Sequence, residues 1–588
     1  MFKSLTRKKS IESIMASSRA QDATEGHGVT GLHRVLTARD LTFFGIAAII
    51  GAGSFSSLGG AVFAGGPGVV VLFILCGIAC GFTAFCYAEF ASRVPVAGSA
   101  YTYAYASFGE LMAWIIGWAL LMEYSIGNIY VSFSWSDYFT TLMGKFGVHI
   151  PDYLACSYKE ASIAVKAGDN IPDLINAWNT APQIGGLRLI MDLPAFLINI
   201  AITYLVYRGM KESRNISNVM VVLKLAAIAL VILVGGYLIF ANDLFHNWTP
   251  PNASGVRSFM PNGFGGVLAA VSGVFFAYIG FDAVSVLAEE AKDPQKDLPK
   301  GMITSLIICT IVYIILSLIL TGAVNFEKFA GIGDPLAFIF EEDNLNVSWM
   351  VTLIAFIAVV AMTSVLLVFQ MGQPRIWMSM SRDGLLPPAF QKIHPKYRTP
   401  SFATIVTGFV VGLPIFFTDK NFVLDFTSIG TLFAFVLVCG GVLLLPEKPK
   451  VKGQFHLPNI NSQYIFPILI ISTIIGLSLR KGGYFSELLN GDFSDHSEGA
   501  GQELFNFQSI SVKIATIIFW LTCLILSVFA YLKKFSLIPL LGLVSCLYLL
   551  TGMSGSNWLW FFGWFAVGLI IYFAYGYKKS NLNREIRE

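Results

Sequence analysis

The chain has 588 residues, of which 55% are apolar and only 13% are charged, with a formal net charge of +3. A soluble protein of this length would form roughly four domains, and their surfaces would need many more charged side chains. Basic residues are scattered over many short polar segments rather than gathered on one face, which argues against nucleic-acid binding. The composition therefore indicates a polytopic membrane protein.

Fourteen apolar runs, each bounded by charged or polar residues, predict about fourteen transmembrane helices. They lie near 41–62, 69–92, 109–142, 194–207, 216–240, 264–290, 301–323, 349–380, 402–418, 423–445, 463–479, 509–532, 535–551 and 557–577. Lys and Arg gather in alternate loops together with both end segments, so the positive-inside rule predicts cytoplasmic termini. The first forty residues are polar and predict no cleavable signal peptide. We expect a multi-pass protein of the plasma membrane, the inner membrane of a bacterium.

Glycine and polar residues interrupt two of these predicted helices at membrane depth. The interruptions are residues 49–55, with the sequence IIGAGSF, and residues 276–282, with the sequence FAYIGFD. We refer to them as the first and the second break. A backbone that leaves the helix inside a bilayer is tolerated only within protein or beside a cavity, so paired breaks mark a binding site.

The breaks fall in the first and sixth predicted helices, which suggests two five-helix repeats. An odd number of helices in each repeat forces the second to be inverted relative to the first. The predicted fold is therefore an all-α, 5+5 inverted repeat with four extra C-terminal helices. Its parts are a cytoplasmic arm, two repeats, a peripheral group and a cytoplasmic tail, at residues 1–40, 41–240, 264–445, 446–577 and 578–588. Residues 334–340, in a loop, predict either a short re-entrant segment or an ordinary surface helix.

The two breaks offer opposite backbone polarity. Gly51 and Gly53 would let the amides of residues 52–54 converge at the start of a half-helix, where a carboxylate is favoured; close helix packing is the alternative. Unwound carbonyls around residues 277–280 favour a primary ammonium group. One site with both features predicts an α-amino acid as substrate. Its predicted binding residues are Ile49, Gly51, Ala52, Gly53, Glu123, Phe276, Ala277 and Ile279.

Phe276 is either a gate over the substrate or a core-packing residue. Glu123, in the middle of the third predicted helix, must face the bundle interior and would favour cationic or protonated substrates. Asp282 begins the second half of the sixth helix, where a carboxylate complements the helix dipole. Proton carriage is its second interpretation.

Lys224 lies near the middle of the fifth predicted helix, where a charged residue costs about 2.5 to 3.5 kcal/mol on translocon scales. Such a cation could replace a bound sodium ion or release a proton during the cycle. Thr363 and Ser364 of the eighth helix carry hydroxyls of the kind that ligate sodium. The alternative is a static ion pair, for instance with Glu123. The predicted coupling residues are Lys224, Thr363, Ser364 and Asp282.

No cofactor, metal site or disulfide framework is predicted. All seven histidines fall in tails or loops, and Cys156 is the one cysteine in an outer loop. The predicted helices contain no nucleophile–base pair, so a membrane enzyme is the least favoured class.

Several segments in chain order resemble the amino acid–polyamine–organocation transporters, and within them the cationic amino acid transporter group. They are residues 36–41, 87–90, 94–103, 208–213, 275–290, 381–387 and 428–432, and the resemblance extends over about residues 34–445. It implies the leucine-transporter type of inverted repeat. It also implies that Phe276 is the aromatic gate, Glu123 the pocket carboxylate and Lys224 the lysine at a vacant sodium site. The end of the chain is similar to the fourteen-helix members. Ser54, Ser56 and Ser57 depart from the family's more apolar pattern.

We therefore predict secondary active transport of α-amino acids by alternating access, with proton symport. The predicted partners are the amino acid, protons and the lipid bilayer. An exchanger or uniporter with a structural Lys224 is the first alternative, and an amino-acid receptor without transport is the second. The carried side chains, the oligomeric state and any small single-span partner protein stay open.

Overall fold

A computed structural model describes most of the chain, at residues 7–9, 36–94, 99–167, 171–209, 214–252, 254–288, 291–397, 399–445, 455–479, 484–490, 510–553 and 555–582. Within these ranges every regular element is helical except one antiparallel hairpin, β1 Gln183–Ile184 with β2 Leu187–Arg188. The predicted arm lies outside the described residues except at 7–9 and 36–40, as do parts of the resembling segments, at 95–98, 210–213 and 289–290.

The helices up to residue 248 contain the first break. They are α1 Ala38–Ile49, α2 Leu58–Gly65, α3 Val69–Arg93, α4 Ser99–Ser107, α5 Glu110–Lys145, α6 Tyr158–Ala167, α7 Pro172–Thr180, α8 Leu193–Tyr207 and α9 Arg214–Ala241. A π-helical turn, Gly53–Ser57, leads into α2. Short 3₁₀ turns are Gly66–Gly68, Asp152–Leu154 and Leu244–Trp248.

The second break lies among the helices that follow. They are α10 Gly263–Ala269, α11 Val271–Phe276, α12 Pro294–Ala323, α13 Pro335–Phe338, α14 Ser348–Arg382, α15 Ser401–Gly412, α16 Lys420–Leu443, α17 Ile465–Ser478, α18 Tyr484–Asn490, α19 Ile510–Lys533, α20 Leu537–Thr551, α21 Gly555–Ile571 and α22 Tyr577–Lys579. A 3₁₀ helix, Phe281–Leu287, follows α11. Further 3₁₀ turns are Phe326–Phe329, Pro388–Gln391 and Pro414–Phe416, and a π-helical turn is Tyr572–Gly576.

Each of the fourteen predicted apolar runs coincides with helical structure. Among the described residues, seven helices are long and apolar enough to cross a bilayer, or eight when the bent pair around residue 270 counts as one, and four shorter apolar helices accompany them. The structure is that of an all-helical polytopic membrane protein. The number fourteen and the 5+5 repeat stay predictions.

Helix α5 lies at the centre of the bundle and packs along both α14 and α16. Buried amides join it to α14, since Asn128 donates to Gln370 at 2.8 Å and Gln373 donates to Ser125 at 2.5 Å. Buried polar groups need such partners, so these bonds fix the register of the two helices. We call the Lys145 end of α5 its outer end, because arm residue Arg7 docks at the opposite end, where its carbonyl accepts from the Glu110 N–H at 2.9 Å.

The segment predicted as either re-entrant or surface-exposed is buried. Helix α13 is only four residues long, and Leu336, Ala337, Ile339 and Phe340 have no exposed surface. Apolar side chains in this short segment therefore pack into the outer part of the bundle rather than lying on its surface.

Replacing Glu110 by alanine is expected to lower the free energy of unfolding by about 3 kcal/mol, since hydrogen bonds to charged groups contribute about 1.5 to 3 kcal/mol each. The Glu110 carboxylate is fully buried and accepts from the Tyr572 hydroxyl at 3.0 Å and the Ser580 hydroxyl at 2.5 Å. Tryptophan fluorescence during SDS titration measures the change. Glu327→Ala, at an exposed carboxylate, is the control and should leave the midpoint in place. Equal midpoints for both variants would contradict the prediction.

Candidate functional site

The first break interrupts the backbone where it was predicted. Helix α1 ends at Ile49, and Ile50 takes an extended conformation with φ −79° and ψ 92°. Hydrogen bonding resumes when the N–H groups of Ser54 and Phe55 both donate to the Gly51 carbonyl at 3.0 Å. The Ser54 amide is thus engaged inside the turn. The amides of Ala52 and Gly53 precede this turn, at the position where a helix start leaves its N–H groups without acceptors.

The second break follows α11. Tyr278 and Ile279 donate to the Phe275 and Phe276 carbonyls at 2.9 and 3.1 Å, which closes α11 with short turns. Gly280 then adopts a left-handed conformation with a φ of +113°, a value that favours glycine. The carbonyls of residues 277–279 lie in the non-helical stretch between α11 and the Phe281–Leu287 helix.

The two breaks are in direct contact. A Cβ atom on Gly53 would lie 2.5 Å from the Ala277 Cα, and one on Gly280 would lie 3.0 Å from the Ala48 carbonyl carbon. Gly53 thus lies at Ala277, near the start of the second break, and Ala48, just before the first break, lies at Gly280, near the end of the second. The two segments therefore cross antiparallel. The Ser57 hydroxyl joins them as well, since it donates to the Gly53 carbonyl at 2.7 Å and the Gly273 carbonyl at 2.9 Å.

The Phe276 side chain packs on the aromatic ring of Tyr130. The two ring centroids are 4.5 Å apart at an interplanar angle of 60°. Both residues are almost fully buried, with 5% and 2% exposure. On the same side of the first break, the Tyr138 hydroxyl donates to the Phe55 carbonyl at 2.5 Å. Helix α5 therefore supplies a phenolic side chain to each break, and one of these covers the predicted gate residue.

Lys224 contacts the inner half of the broken first helix. Its Nζ donates to the Ala47 carbonyl at 3.1 Å, and the residue is 1% exposed. Ala47 belongs to the last turn of α1, where unpaired carbonyls carry partial negative charge. The partial negative charge of these carbonyls favours a cation at this position, whether it is an ammonium group or a metal ion. The described ion pairs include none between Lys224 and Glu123.

Helix α14 also reaches the first break, through Val365, whose side chain lies where a Cβ atom on Gly51 would stand. The two neighbouring hydroxyls are engaged locally. Thr363 accepts from the Trp135 indole N–H at 2.9 Å, and Ser364 donates to the Ala361 carbonyl at 2.8 Å. Thr363 is thereby tied to α5.

Two carboxyl groups lie buried among these helices. Glu123 is 3% exposed and Asp282 is 2% exposed, and they are close enough to interact electrostatically. Glu123 Oε2 and Asp282 Oδ1 each lack a hydrogen-bond partner within the described structure. Asp282 is the second residue of its 3₁₀ helix, next to the first-turn N–H groups. Buried acceptors without partners are costly, so both oxygens can accept a proton or a cationic group.

Tyr130, Tyr138 and Tyr313 at the site were not predicted from the sequence. The Tyr313 hydroxyl of α12 donates to the Ile49 carbonyl at 3.0 Å and so holds the end of α1. Their spacing in amphipathic helices gave no signal, because tyrosine is common in this chain, with 22 copies. Ser57 could have been found, since a polar residue beside a break has few other uses.

A cavity of about 440 Å³ opens between α1 and α9 on the inner side of Lys224. It is lined by Thr37, Arg39, Asp40, Phe43, Val219, Val222 and Leu223. Val222 and Leu223 immediately precede Lys224 in α9, but they are 55% and 44% exposed whereas Lys224 is buried, so the cavity lies on the exposed face of α9.

A family pattern and several individual relatives indicate the kind of protein. The sequence pattern of the amino acid permease family matches residues 36–480. The branched-chain amino acid permease BcaP of Bacillus subtilis (strain 168) is 41% identical over 480 residues, 82% of this chain and 93% of that protein. The methylthioribose transporter of the same strain is 33% identical over 584 residues, 99% of this chain and 100% of that protein. The cationic amino acid transporter 4 of Homo sapiens is 27% identical over 605 residues, 94% of this chain and 89% of that protein.

The matched region includes both breaks, Lys224 and the helices that pack on them. The match covers well over half of the chain, and the relatives are transporters in name. The chain therefore belongs to the amino acid permease family of the amino acid–polyamine–organocation superfamily, as a multi-pass membrane transporter and not an enzyme.

Proposed function

We propose that this chain imports α-amino acids across the plasma membrane by proton-coupled alternating access, with both termini in the cytoplasm. The observation that carries the proposal is the antiparallel contact of the two breaks, Gly53 on Ala277 and Gly280 on Ala48. This contact supports a site shared by the amides of the first break and the carbonyls of the second. A free carboxylate and a free amine on one carbon match that pair of backbone surfaces. The crossing also supports the inverted 5+5 repeat and its boundaries.

Proton coupling through Lys224 is supported by its position. The ammonium donates to the Ala47 carbonyl in the last turn before the first break, so loss of its proton removes a charge-assisted bond from α1. Thr363 contributes to coupling in this proposal by fixing α14 against α5, and Ser364, whose hydroxyl is bonded within α14, contributes by its position beside Val365 at the first break.

In this proposal, side chains outside the two breaks recognise the side chain of the substrate. Phe276 with Tyr130 covers one side of the site, and the unpartnered oxygens of Glu123 and Asp282 favour a cationic group near the other. The names of the relatives span branched-chain amino acids, cationic amino acids and methylthioribose. Methylthioribose has neither an amine nor a carboxylate. As a competitor it therefore tests whether the site requires these two groups of an α-amino acid.

Uptake into proteoliposomes with an inward proton gradient tests the proposal. We expect competition by leucine, isoleucine, arginine or lysine. Leucine methyl ester and N-acetyl-leucine should compete about 10- to 100-fold more weakly, because each removes a charged hydrogen-bonding group worth about 1.5 to 3 kcal/mol. Equal competition by both blocked leucines, or by methylthioribose alone, would refute the assignment.

The alternatives give different results in the same vesicles. An exchanger or uniporter would show counterflow that ignores the pH gradient. A receptor would bind amino acid saturably without any uptake. Replacing sodium by potassium should leave uptake unchanged if Lys224 takes the place of the ion.

A further inference from the structure

An ion pair lies on the outer side of the Phe276–Tyr130 ring pair. Lys420, the first residue of α16, pairs through Nζ with Asp137 of α5. The same ammonium lies 5.8 Å from the centroid of the Tyr130 ring, which packs on Phe276. Asp137 is two helical turns beyond Tyr130 toward the outer end of α5. A continuous column thus runs from the ion pair to the second break.

The pair is partly shielded from solvent. The side chains of Lys420 and Asp137 are 18% and 30% exposed, whereas Lys159, which pairs with Asp419 at 2.6 Å, is 43% exposed. Exposed pairs contribute roughly 0 to 1 kcal/mol. A charge-assisted bond that also places the cation on an aromatic face is stronger, since the ring adds about 0.5 to 2 kcal/mol.

Other outer segments meet at this point. Gly333 lies against the Asp137 carboxylate, leaving no room for a side chain, and its carbonyl accepts from the Ser56 hydroxyl at 2.8 Å. The Thr141 hydroxyl donates to Asp334 at 2.8 Å. The Asp137 end of the pair is therefore joined to the first break through the Gly333 loop as well as to α16.

Helix α6 holds the start of α16. Its Lys420 N–H donates to Glu160 of α6 at 2.9 Å, and Asp419 receives Lys159 of the same helix. With its backbone anchored in this way, the Lys420 side chain extends to Asp137 of α5 on the outer side of the Tyr130–Phe276 rings.

We propose that the Lys420–Asp137 ion pair is the latch of an outer gate, which keeps the Tyr130–Phe276 rings closed over the substrate site until it opens. This deepens and rests on the proposed function, since a gate presupposes a substrate path. Its test measures opening by itself and requires no transported substrate.

A thiol placed under the latch measures opening. Ser134 is fully buried, carries an unpartnered hydroxyl within the described structure, and lies between Tyr130 and Asp137 on the same face of α5. Ser134→Cys in a Cys156→Ser background is labelled from the outer side with a membrane-impermeant maleimide. Burial raises the pKa of the Asp334 carboxyl to about 7, so labelling is done at pH 8 to keep it ionised.

Lys420→Met keeps the length of the side chain and removes the ion pair. We expect labelling to accelerate about tenfold, the size of one charge-assisted hydrogen bond. Asp137→Asn should act similarly, and the exchanged pair Asp137→Lys with Lys420→Asp should return toward the parent rate. Lys159→Met, which breaks the neighbouring exposed pair, should change the rate by no more than about twofold.

The latch is refuted if Lys420→Met labels at the parent rate, or if Lys159→Met accelerates labelling as much. Recovery by the exchanged pair excludes misfolding as the cause of faster labelling. Accelerated labelling of a protein that takes up no amino acid would support the latch and contradict the proposed transport function. Normal amino acid uptake by the parent, with labelling of Lys420→Met at the parent rate, would support the transport function and contradict the latch.

Discussion

Replacing Lys224 by methionine is expected to abolish proton-driven accumulation of amino acid while the protein still folds. The bond from Nζ to the Ala47 carbonyl joins a buried cation to the broken first helix at 3.1 Å. Losing a hydrogen bond to a charged group costs about 1.5 to 3 kcal/mol, or roughly 10- to 100-fold in the coupled equilibrium. Methionine fits a buried, apolar environment, so stability should not fall with it. Uptake against a pH gradient, measured beside detergent unfolding, separates the two effects.

Lys224→Arg makes the test sharper. Arginine keeps a positive charge at all accessible pH values and cannot release its proton. We expect this variant to bind substrate and perform counterflow but to lose pH-driven accumulation. If Lys224→Arg accumulates amino acid as the parent does, Lys224 acts by static charge alone and another group carries the coupled proton.

Lys513 provides a matched control for these variants. It is also a buried lysine in an apolar helix, with 6% exposure, but it lies in α19 among the predicted peripheral helices. Lys513→Met should leave the pH dependence of uptake unchanged. Similar losses in Lys224→Met and Lys513→Met would point to a general effect of removing a buried lysine.

Adding one methyl group at Gly53 is expected to reduce uptake at least about tenfold. The new Cβ would stand 2.5 Å from the Ala277 Cα, a backbone atom that cannot rotate away. Overpacking of this kind costs about 1 to 3 kcal/mol, and here it pushes apart the two breaks that form the proposed site. Substrate binding by scintillation proximity and uptake by vesicles should both fall.

The same helix supplies graded controls. At Gly51 the added Cβ would lie 2.6 Å from a methyl group of Val365, a side-chain rather than a backbone atom, so Gly51→Ala should lose less activity than Gly53→Ala. At Gly60 no atom lies within 4 Å, so Gly60→Ala should behave as the parent. An order other than Gly53, Gly51, Gly60 would show that contact between the breaks does not set activity. Equal unfolding midpoints across the series would exclude general destabilisation.

The glycine breaks were readable in advance because they are local. An extended Ile50 and a left-handed Gly280 follow from glycine and polar residues inside apolar runs, and each predicted apolar run coincides with helical structure. Lys224 was recognisable for the same reason, since a charge inside an apolar run stands out without any knowledge of its neighbours.

The residues that contact the breaks and Lys224 in the folded protein could not be predicted from the sequence. Lys420 and Asp137 are 283 residues apart, and Tyr313 is 264 residues from the Ile49 carbonyl that it holds. Thr363, expected beside a vacant sodium site, binds the Trp135 indole of α5. The Ser54 amide, expected to face the substrate, is consumed by the turn at Gly51.

The sequence by itself determined the membrane class, the positions of the long apolar helices, the two breaks and the depth of the buried lysine, because hydropathy and glycine act through neighbouring residues. Only the tertiary structure decided that the breaks cross antiparallel, that Tyr130 covers Phe276 and that an ion pair lies beyond them. Those contacts depend on how α5, α14 and α16 pack. Packing is fixed by the shapes of side chains far apart in the chain, which leave no periodic pattern in any one segment.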